Sequence, residues 1–388
     1  MTRSPNATHT LVITNDFPPR DGGIQTFVYE LVSRLDPEHV TVLASSYPGD
    51  ADFDATLAFR VVRAKTQVLL PTPRTAALAK SLVKETGATQ VLFGAAAPLG
   101  LLSSSLRKVG VQRIVAMSHG HEAGWAITPG TRTLLRRIGS AVDTLTYLGS
   151  YTRSKIAPAL KSDAVPRMRQ LAPAVDPEVF HPRNHELGQD LLAQHGLEGK
   201  RLIVCVSRLM KRKGQDQLIA AMPKILEFIP DAHLVIVGGG SFENKLRSLA
   251  KSSSAQHSVT FAGKVPFAEL PLWYAIADVF AMPCRTRNAG WDVEGLGIVY
   301  LEASASQVPV VAGDSGGAPD AVLEGITGFV VDGTSLVQIQ DRIVTLLEDP
   351  QLAQQFGAQG REWVLHEWTW ERAVSRVQDL LMGQDPDA

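Results

Sequence analysis

Short apolar runs rich in β-branched residues recur along the whole chain and are separated by segments of helix length. In the first half they are TLVIT (10–14), VTVLA (40–44), RVVRA (60–64), QVLFG (90–94), RIVAM (113–117) and TLTYL (144–148). In the second half they are RLIVCV (201–206), HLVIVG (233–238), SVTFAG (258–263), DVFAMP (278–283), VPVVAG (308–313) and GFVV (328–331). Strands that are apolar on both faces and alternate with helices are typical of parallel sheets covered on both sides. The pattern therefore predicts an α/β protein with two doubly wound, Rossmann-like domains.

A charged, proline-containing segment at 172–190 separates the two series of strands. We therefore predict a first domain at 1–175 and a second domain at 185–366. In domains of this kind, ligands bind where the carboxyl ends of the strands meet the following loops. The candidate functional residues are accordingly those that follow a strand.

The composition is that of a globular protein, because 45% of the 388 residues are apolar and 20% are charged. No apolar run reaches about eighteen residues, so no transmembrane helix is expected. The N-terminal apolar stretch is too short for a secretory signal. Only two cysteines are present, which indicates a reduced, cytosolic compartment rather than a disulfide framework.

Charge is distributed unevenly between the two halves. The first 180 residues hold 20 Lys and Arg against 14 Asp and Glu, whereas the remainder holds 18 against 25. A basic first half suggests an anionic partner for that half. The alternative is two domains whose compositions simply differ.

Two loops of the first half follow predicted strands and contain candidate ligand-binding residues. Gly22 and Gly23 precede an apolar-faced helix, where free backbone amides attract anions; a tight turn is the alternative. The sequence HGHE at 119–122 follows another strand. No third group of metal ligands has suitable spacing, so a zinc site is not expected. His119 can instead hydrogen-bond a sugar hydroxyl or a developing charge, or be a structural histidine.

In the second half, four cations crowd the loop after the strand RLIVCV: Arg208, Lys211, Arg212 and Lys213. This loop leads into an apolar-faced helix, so the cations lie beside a helix N-terminus. Such a cluster at the carboxyl edge of a parallel sheet predicts an anion site, although a solvated basic loop has the same composition.

The stretch DVEGLGIVYLEAS (292–304) places Glu294 and Glu302 eight positions apart around an apolar run. Gly295, Leu296 and Gly297 are predicted to open a buried helix, with backbone amides free for a phosphate and a sugar. Glu302, two turns into that helix, must be paired or hydrogen-bonded. A ribose diol offers two hydroxyl donors that suit one carboxylate.

Together these motifs resemble the retaining glycosyltransferases of the large family 4, which have the GT-B fold of two Rossmann-like domains facing a central cleft. The resemblance rests on Glu294-x7-Glu302, the SRLMKRKG loop, APAVDPEVFHP (172–182), the GGIQ loop and VPVVAGDSGGAPDAV (308–322). The stretches TLVITNDFPPRDGGIQ and MSHGHE are similar, more narrowly, to actinobacterial GDP-mannose-dependent phosphatidylinositol monomannoside mannosyltransferases.

This resemblance implies roles for individual residues. It assigns Arg208 and Lys213 to the diphosphate, Glu302 to the ribose, Glu294 to the donor sugar and His119 to the sugar's 6-hydroxyl. Gly22 and Gly23 match the glycine loop on the N-terminal domain's side of the cleft and are implied in nucleotide-sugar binding. That N-terminal domain is the acceptor-binding one, and an amphipathic helix at 367–383 returns to it. The remaining residues implied in nucleotide-sugar binding are Gly263, Lys264, Val265, Gly295, Leu296, Gly297, Ile298 and Val299. Pro283-Cys284 departs from the Pro-Ser pair that is common in the family after this strand. The resemblance therefore does not define the wall of the site at Cys284.

The resemblance further implies α-1,6 transfer of mannose from GDP-mannose to a phosphatidylinositol mannoside, with retention and with no tightly bound cofactor or required metal. His119, Glu294, Arg208 and Lys213 are the implied catalytic residues. The expected partners are the nucleotide sugar, a lipid-linked acceptor and an anionic membrane at the inner face of the plasma membrane, and no nucleic acid.

Three other functions remain open at the level of sequence. A dinucleotide oxidoreductase is disfavoured, because Gly238, Gly239 and Gly240 are consecutive and do not form the G-x-G-x-x-G fingerprint. A non-catalytic sugar-nucleotide-binding or membrane scaffold protein is disfavoured by the intact pair of glutamates and the intact pair of cations. A GT-B sugar-nucleotide epimerase, or a family 4 enzyme with another donor or acceptor, remains the nearest alternative.

The segment 73–85 predicts a helix that contacts a membrane. Lys80 and Lys84 fall on one helical face and Leu78 and Leu82 are also four apart, so the helix could lie in an interface, with Arg136 and Arg137 adding to the patch. The alternative is a helix that packs through its leucines and leaves its lysines in water.

Overall fold

A computed structural model describes residues 8–387, and these divide into two compact units. The first unit comprises the described residues up to 173 together with those from 370 onward, and the second comprises residues 174–369. Residues 1–7 of the first predicted domain lie outside the described part of the chain. Between residues 8 and 387, no helix is both long and apolar enough to cross a membrane.

The first unit is built on a parallel sheet of seven strands, in the order β3-β2-β1-β4-β5-β6-β7. Its strands are β1 (Thr10–Thr14), β2 (Val40–Ser45), β3 (Arg60–Ala64), β4 (Gln90–Phe93), β5 (Arg113–Ala116), β6 (Thr144–Tyr147) and β7 (Met168–Gln170). The helices that precede the second unit are α1 (Gly23–Val32), α2 (Asp50–Asp54), α3 (Pro73–Thr86), α4 (Ser103–Arg107), α5 (Glu122–Ile127), α6 (Pro129–Ala141) and α7 (Ser150–Ile156).

The second unit is built on a parallel sheet of six strands, in the order β10-β9-β8-β11-β12-β13. Its strands are β8 (Arg201–Val206), β9 (Ala232–Val237), β10 (Val259–Gly263), β11 (Val279–Met282), β12 (Val310–Gly313) and β13 (Gly328–Val331). Its helices are α8 (Asn184–Leu187), α9 (Gln189–His195), α10 (Gln215–Phe228), α11 (Glu243–Ser252), α12 (Leu270–Ala275), α13 (Ile298–Ala305), α14 (Leu336–Glu348) and α15 (Pro350–Glu367).

All the predicted strands form, because their apolar runs are buried on both faces of each sheet. Strands β1, β2, β8 and β9 are buried along their whole length or nearly so. In each unit the strand order reverses beside the first strand, between β1 and β4 and between β8 and β11. Ligands of doubly wound sheets bind at such switch points, on the carboxyl side of the strands. The fold class predicted from the sequence, a two-domain α/β protein of the GT-B type, is confirmed.

The seventh strand of the first sheet is not predicted by the apolar pattern. Strand β7 has three residues, Met168, Arg169 and Gln170, and two of them are polar. It pairs with β6 at the edge of the sheet, with Leu145 opposite Met168. An edge strand needs backbone pairing on one side only, and so its sequence does not have to be apolar.

The helix predicted to contact a membrane packs through its leucines. Leu82 is buried in the core of the first unit, and Leu78 packs against the same core. These leucines are therefore not available to enter a bilayer interface, contrary to the expectation from their spacing. Lys84 is exposed and Lys80 is half-buried, so only the charged part of the expected surface faces outward.

The last helix, α16 (Trp370–Met382), belongs to the first unit although it follows the whole second unit in sequence. It packs against α1, β4 and β5 through Val377, Leu380 and Leu381. The Arg113 side chain on β5 donates from Nε to the Leu380 carbonyl at 2.7 Å. The helix is thus part of the core of the first unit.

We expect Leu380→Ala to destabilise the first unit by about 2–5 kcal/mol, because it removes a fully buried side chain and leaves a cavity. Met382→Ala on the same helix is the matched control, since Met382 is 59% exposed and Leu380 is 1% exposed. Urea unfolding followed by circular dichroism measures both. Equal transition midpoints for the two variants would contradict this packing.

Candidate active site

A buried ion pair joins the two loops at the switch point of the second sheet. Lys213 follows β8 and Glu294 follows β11, and Lys213 Nζ lies 2.7 Å from Glu294 Oε2. Each residue is only 7% exposed. The two residues that the sequence assigned to one site are thus brought into direct contact.

The cationic loop is held against the end of β11 by close backbone approach. Gly214, the residue before α10, has φ = 83°, a conformation that residues with a Cβ rarely adopt. A Cβ at this position would lie 2.1 Å from the Pro283 carbonyl oxygen. Gly214 therefore fixes Lys213, its neighbour, beside the carboxyl end of β11.

The Glu294 backbone is held by the loop after β12. Glu294 N–H donates to Ser315 Oγ at 3.3 Å, and Gly317 N–H donates to the Glu294 carbonyl at 2.9 Å. A Cβ on Gly316 would lie 2.1 Å from that same carbonyl oxygen. Ser315 is a positioning residue that the sequence analysis missed. Its only signal was the Ser-Gly-Gly sequence at the end of a predicted strand.

Two arginines extend the charged cluster around Glu294. Arg212 lies with Nε 3.7 Å from Glu294 Oε2 and with Nη1 3.5 Å from Asp292 Oδ1. Arg287 Nη1 lies 3.4 Å from the other oxygen of Asp292. These contacts tie the loop that precedes Glu294 to the loop that contains Lys213.

Glycines open helix α13 as the sequence predicts. Residues 295–297 form the turn that follows Glu294, and Gly297 precedes the helix with φ = 85°. Ile298 and Val299 occupy the first turn, where backbone amides have no partner within the helix. Such amides favour an anion or a sugar hydroxyl.

Glu302 lies on α13 and is hydrogen-bonded, as its position on a buried helix requires. Tyr274, on α12, donates from its hydroxyl to Glu302 Oε2 at 2.5 Å. Burial raises the pKa of Glu302 to about 7, and this hydrogen bond acts in the opposite direction. Tyr274 is a second residue that the sequence analysis missed, since ELPLWYAIA reads only as an apolar helix.

Four further predicted residues lie on loops of the same sheet edge. Arg208 is exposed on the cationic loop, and its backbone carbonyl accepts from Gln215 Nε2 at 3.1 Å. Gly263 ends β10, and its carbonyl accepts from Gly238 N–H at 2.7 Å. Lys264, which is exposed, and the half-buried Val265 follow directly. Between residues 8 and 387, neither Arg208 nor Lys264 forms an ion pair with Glu294, whose cations are Lys213 and Arg212.

Cys284, the residue that the sequence analysis set apart at this turn, lies in the interior. Its thiol donates to the Gly313 carbonyl at 3.7 Å and accepts from the Tyr300 hydroxyl at 3.2 Å. Burial raises the pKa of this thiol to about 11. Cys284 therefore packs between β11, β12 and α13, which answers what this departure does to the turn.

In the first unit, His119 follows β5 and is held as a neutral imidazole. Its Nε2–H donates to the Gly94 carbonyl at 2.5 Å, which leaves Nδ1 as an acceptor. Desolvation is the main cause that lowers the pKa of His119, and it outweighs the nearby Glu122 carboxylate. His119 suits a hydroxyl donor better than it suits a role as a cation. The adjacent His121 lies with Nε2 3.2 Å from Glu122 Oε1.

The two glycines of the first unit lie where the sequence places them. Gly22 directly precedes α1 and Gly23 is its first residue. A Cβ on Gly22 would lie 2.2 Å from Gln25 Oε1, and Gln25 donates from Nε2 to Asp16 Oδ1 at 2.7 Å. The first turn of α1 is thus packed tightly against the loop after β1.

Solved structures share this fold. The Anabaena protein HepE, solved in complex with UDP, aligns with a TM-score of 0.80 over 97% of this chain and 100% of its own, at 16% identity. Sucrose-phosphate synthase from Thermosynechococcus elongatus aligns with a TM-score of 0.76 over 97% of this chain and 98% of its own, at 20% identity. At these identities the likeness establishes the fold alone.

Curated relatives are much more similar in sequence. The model of the family "Glycosyl transferases group 1" matches residues 189–363. The GDP-mannose-dependent alpha-(1-6)-phosphatidylinositol monomannoside mannosyltransferase of Mycolicibacterium smegmatis is 47% identical over 96% of this chain and 98% of its own. The corresponding monoacylated-acceptor enzyme of Corynebacterium glutamicum is 43% identical over 97% and 98%. The chain therefore belongs to the glycosyl transferases of group 1, in the family of the phosphatidylinositol monomannoside mannosyltransferases.

Proposed function

We propose that this chain transfers mannose from GDP-mannose to a phosphatidylinositol monomannoside, forming an α-1,6 linkage with retention. The observation that supports this most directly is 43–47% identity, over nearly the full length of both chains, to enzymes named for that reaction. A second support is the charged and glycine-rich site at the switch point of the second sheet, which suits a nucleotide sugar.

In this proposal the second unit binds the donor. Arg208, Lys213 and the first amides of α13 stabilise the diphosphate, on which negative charge grows as the anomeric bond breaks. Glu294 hydrogen-bonds the mannose, and Glu302 accepts from the ribose hydroxyls. Gly263, Lys264 and Val265 adjoin the base. No cofactor needs to be tightly bound, because the sugar is already activated by its diphosphate.

The Lys213–Glu294 contact explains how one site can handle both charge and sugar. Lys213 has three N–H donors, and one direction is occupied by Glu294 at 2.7 Å. The others remain available for diphosphate oxygens. The same contact holds the Glu294 carboxylate beside the diphosphate site. The mannose is attached directly to the diphosphate, so it also lies beside Glu294 in this proposal.

The acceptor is assigned to the first unit, while Gly22 and Gly23 of that unit are assigned to the nucleotide sugar and His119 to the 6-hydroxyl of its mannose. A neutral His119 with a free Nδ1 accepts a hydrogen bond from a sugar hydroxyl. In a same-face displacement, the leaving diphosphate takes the proton of the acceptor hydroxyl. This step needs no carboxylate nucleophile.

The first experiment measures nucleoside diphosphate release from a panel of sugar nucleotides, with and without phosphatidylinositol monomannoside. We expect release of GDP from GDP-mannose that depends on the acceptor, and a product with one additional α-1,6-linked mannose. Turnover without acceptor, with conversion of the sugar itself, would support the epimerase instead. Release from another sugar nucleotide alone would correct the donor.

Lys213→Ala and Arg208→Ala should each lower kcat/KM at least about a hundredfold, the effect of removing one charge-stabilising donor. Lys224→Ala is the matched control, because Lys224 is exposed on α10 and contacts Glu227 and the ring of Phe228 on the same helix. Steady-state kinetics with GDP-mannose measure all three variants. Near-normal turnover in both site variants would refute the diphosphate assignment.

Peripheral contact with an anionic membrane at the inner face of the plasma membrane also belongs to the proposal. An acceptor anchored in a bilayer provides the reason, and the outward lysines of α3 provide the charge. Arg136 and Arg137 are exposed on α6. Helix α6 packs against α4, and α4 packs against α3. Because the leucines of α3 are buried, this contact is electrostatic rather than insertional.

The double variant Lys80→Ala/Lys84→Ala should weaken binding to anionic vesicles roughly thirtyfold, since each cation near such a surface contributes about 1 kcal/mol. Lys245→Ala/Lys251→Ala on α11 is the matched control, as both lysines are exposed in the second unit. Co-sedimentation at low and high salt measures the difference. Equal binding of both variants, or salt-independent binding, would exclude this surface.

A further inference from the structure

We propose that Tyr274 is a positioning residue that holds one carboxylate oxygen of Glu302 and leaves the other oxygen directed to the two ribose hydroxyls of the donor nucleotide. The inference rests on the proposed function, because it takes Glu302 as the ribose-binding acid. It adds a residue from a different helix, α12, that neither the sequence motifs nor the relatives' names assign.

The contact itself is short and enclosed. The Tyr274 hydroxyl donates to Glu302 Oε2 at 2.5 Å, and Tyr274 is fully buried. Its ring lies 5.5 Å from the ring of Phe180 at an interplanar angle of 80°, and 5.5 Å from the ring of Phe280 at 31°. Two aromatic neighbours therefore prevent the hydroxyl from swinging away from Glu302.

The helix that contains Glu302 is fixed to the same aromatic cluster. Arg361 on α15 donates from Nη1 to the carbonyl of Ala305, at the end of α13. The same nitrogen donates to the Phe180 carbonyl at 3.3 Å. One guanidinium thus links the end of α13 to the segment that packs on Tyr274, so both members of the hydrogen bond belong to one rigid frame.

Tyr274 is also the group that stabilises the charge of Glu302. Burial raises the pKa of Glu302 to about 7, and no cation forms an ion pair with it among residues 8–387. The nearby Cys205 thiol on β8 stays neutral, because burial raises its pKa to about 12. Arg361, from α15, is engaged by backbone carbonyls. Burial raises the pKa of Tyr274 well above its usual value, so it remains a donor throughout the neutral range.

The consequence is a nucleotide affinity that depends on pH through Glu302. Ribose hydroxyls donate to the ionised carboxylate, so affinity is full above the Glu302 pKa and falls as the pH drops through it. Removing the Tyr274 hydroxyl takes away a hydrogen bond that is stronger to the charged form than to the protonated form. The pKa of Glu302 then rises, and the loss of affinity begins at a higher pH.

The test compares GDP with 2′,3′-dideoxy-GDP by calorimetry between about pH 5.5 and pH 9. The diphosphate of both ligands also gains a proton near about pH 6, and the ratio of the two dissociation constants cancels that effect. The ratio therefore isolates the ribose hydroxyls. The enzymes are wild type, Tyr274→Phe, which keeps the ring, and Glu302→Gln, which keeps the shape of Glu302 but cannot titrate.

For wild type we expect the preference for GDP to be constant above about pH 7, and to fall about tenfold per pH unit below it. In Tyr274→Phe this break should move up by about one pH unit, so that the preference at pH 7 is several-fold lower than in wild type and is recovered at higher pH. Glu302→Gln should show a small preference that does not change with pH.

Two results would overturn the inference, and they differ. If wild type shows no preference for GDP at any pH, Glu302 does not bind the ribose and that part of the proposed function fails as well. If the preference is present but its break is at the same pH in Tyr274→Phe, Tyr274 has only a structural role. An equal loss of affinity for both nucleotides in this variant, with an unmoved break, is the signature of that structural role.

Discussion

A buried charge needs an opposite charge beside it, and the second unit is organised around one pair that meets this need, Lys213 and Glu294. Lys213 and Glu294 come from loops after β8 and β11, the two strands between which the sheet reverses its order. Removing Lys213 would leave Glu294 with Arg212, whose Nε is 3.7 Å away, and removing one partner of a buried ion pair costs about 3–5 kcal/mol in other proteins. The two loops are therefore held in one relative position.

The surrounding backbone contacts serve the same end. Gly214 allows the lysine loop to approach the Pro283 carbonyl, and Gly316 allows the loop after β12 to approach the Glu294 carbonyl. The Ser315 hydroxyl oxygen accepts a hydrogen bond from the Glu294 backbone N–H. Loops from three adjacent strands are thus pinned at van der Waals distance or by hydrogen bonds. A site fixed in this way is preorganised, so that binding a charged donor does not require the protein dipoles to reorient.

Sequence reasoning predicted the strands and the residues that follow them, but not the groups that position those residues. Apolar runs such as TLVIT and RLIVCV lose hydrophobic stabilisation if either face is exposed to water. The central strands of a parallel sheet are covered on both faces, so these runs predict such a sheet. The edge strand Met168–Gln170 was not predicted, because two of its three side chains are polar and it has no continuous apolar run. The roles of Tyr274 and Ser315 were not predicted. Tyr274 contacts Glu302, 28 positions away, and Ser315 contacts Glu294, 21 positions away, and tertiary packing sets contacts over such separations. For Leu82 the sequence pattern was ambiguous. Its four-residue spacing from Leu78 fitted a membrane interface as well as a protein core, and in the structure Leu82 lies in the core.

Burial also shifts the pKa of two candidate residues, that of His119 downward and that of Glu302 upward. In the first unit, desolvation keeps His119 neutral even with Glu122 nearby, and its bond to Gly94 fixes which nitrogen accepts. In the second unit, desolvation raises the pKa of Glu302 to about 7, and one tyrosine hydroxyl opposes it. Neither state follows from residue identity, because an exposed histidine or glutamate would behave in the ordinary way. In the function proposed above, His119 accepts from a hydroxyl and Glu302 is a pH-sensitive ribose ligand because the helices and strands around them exclude water.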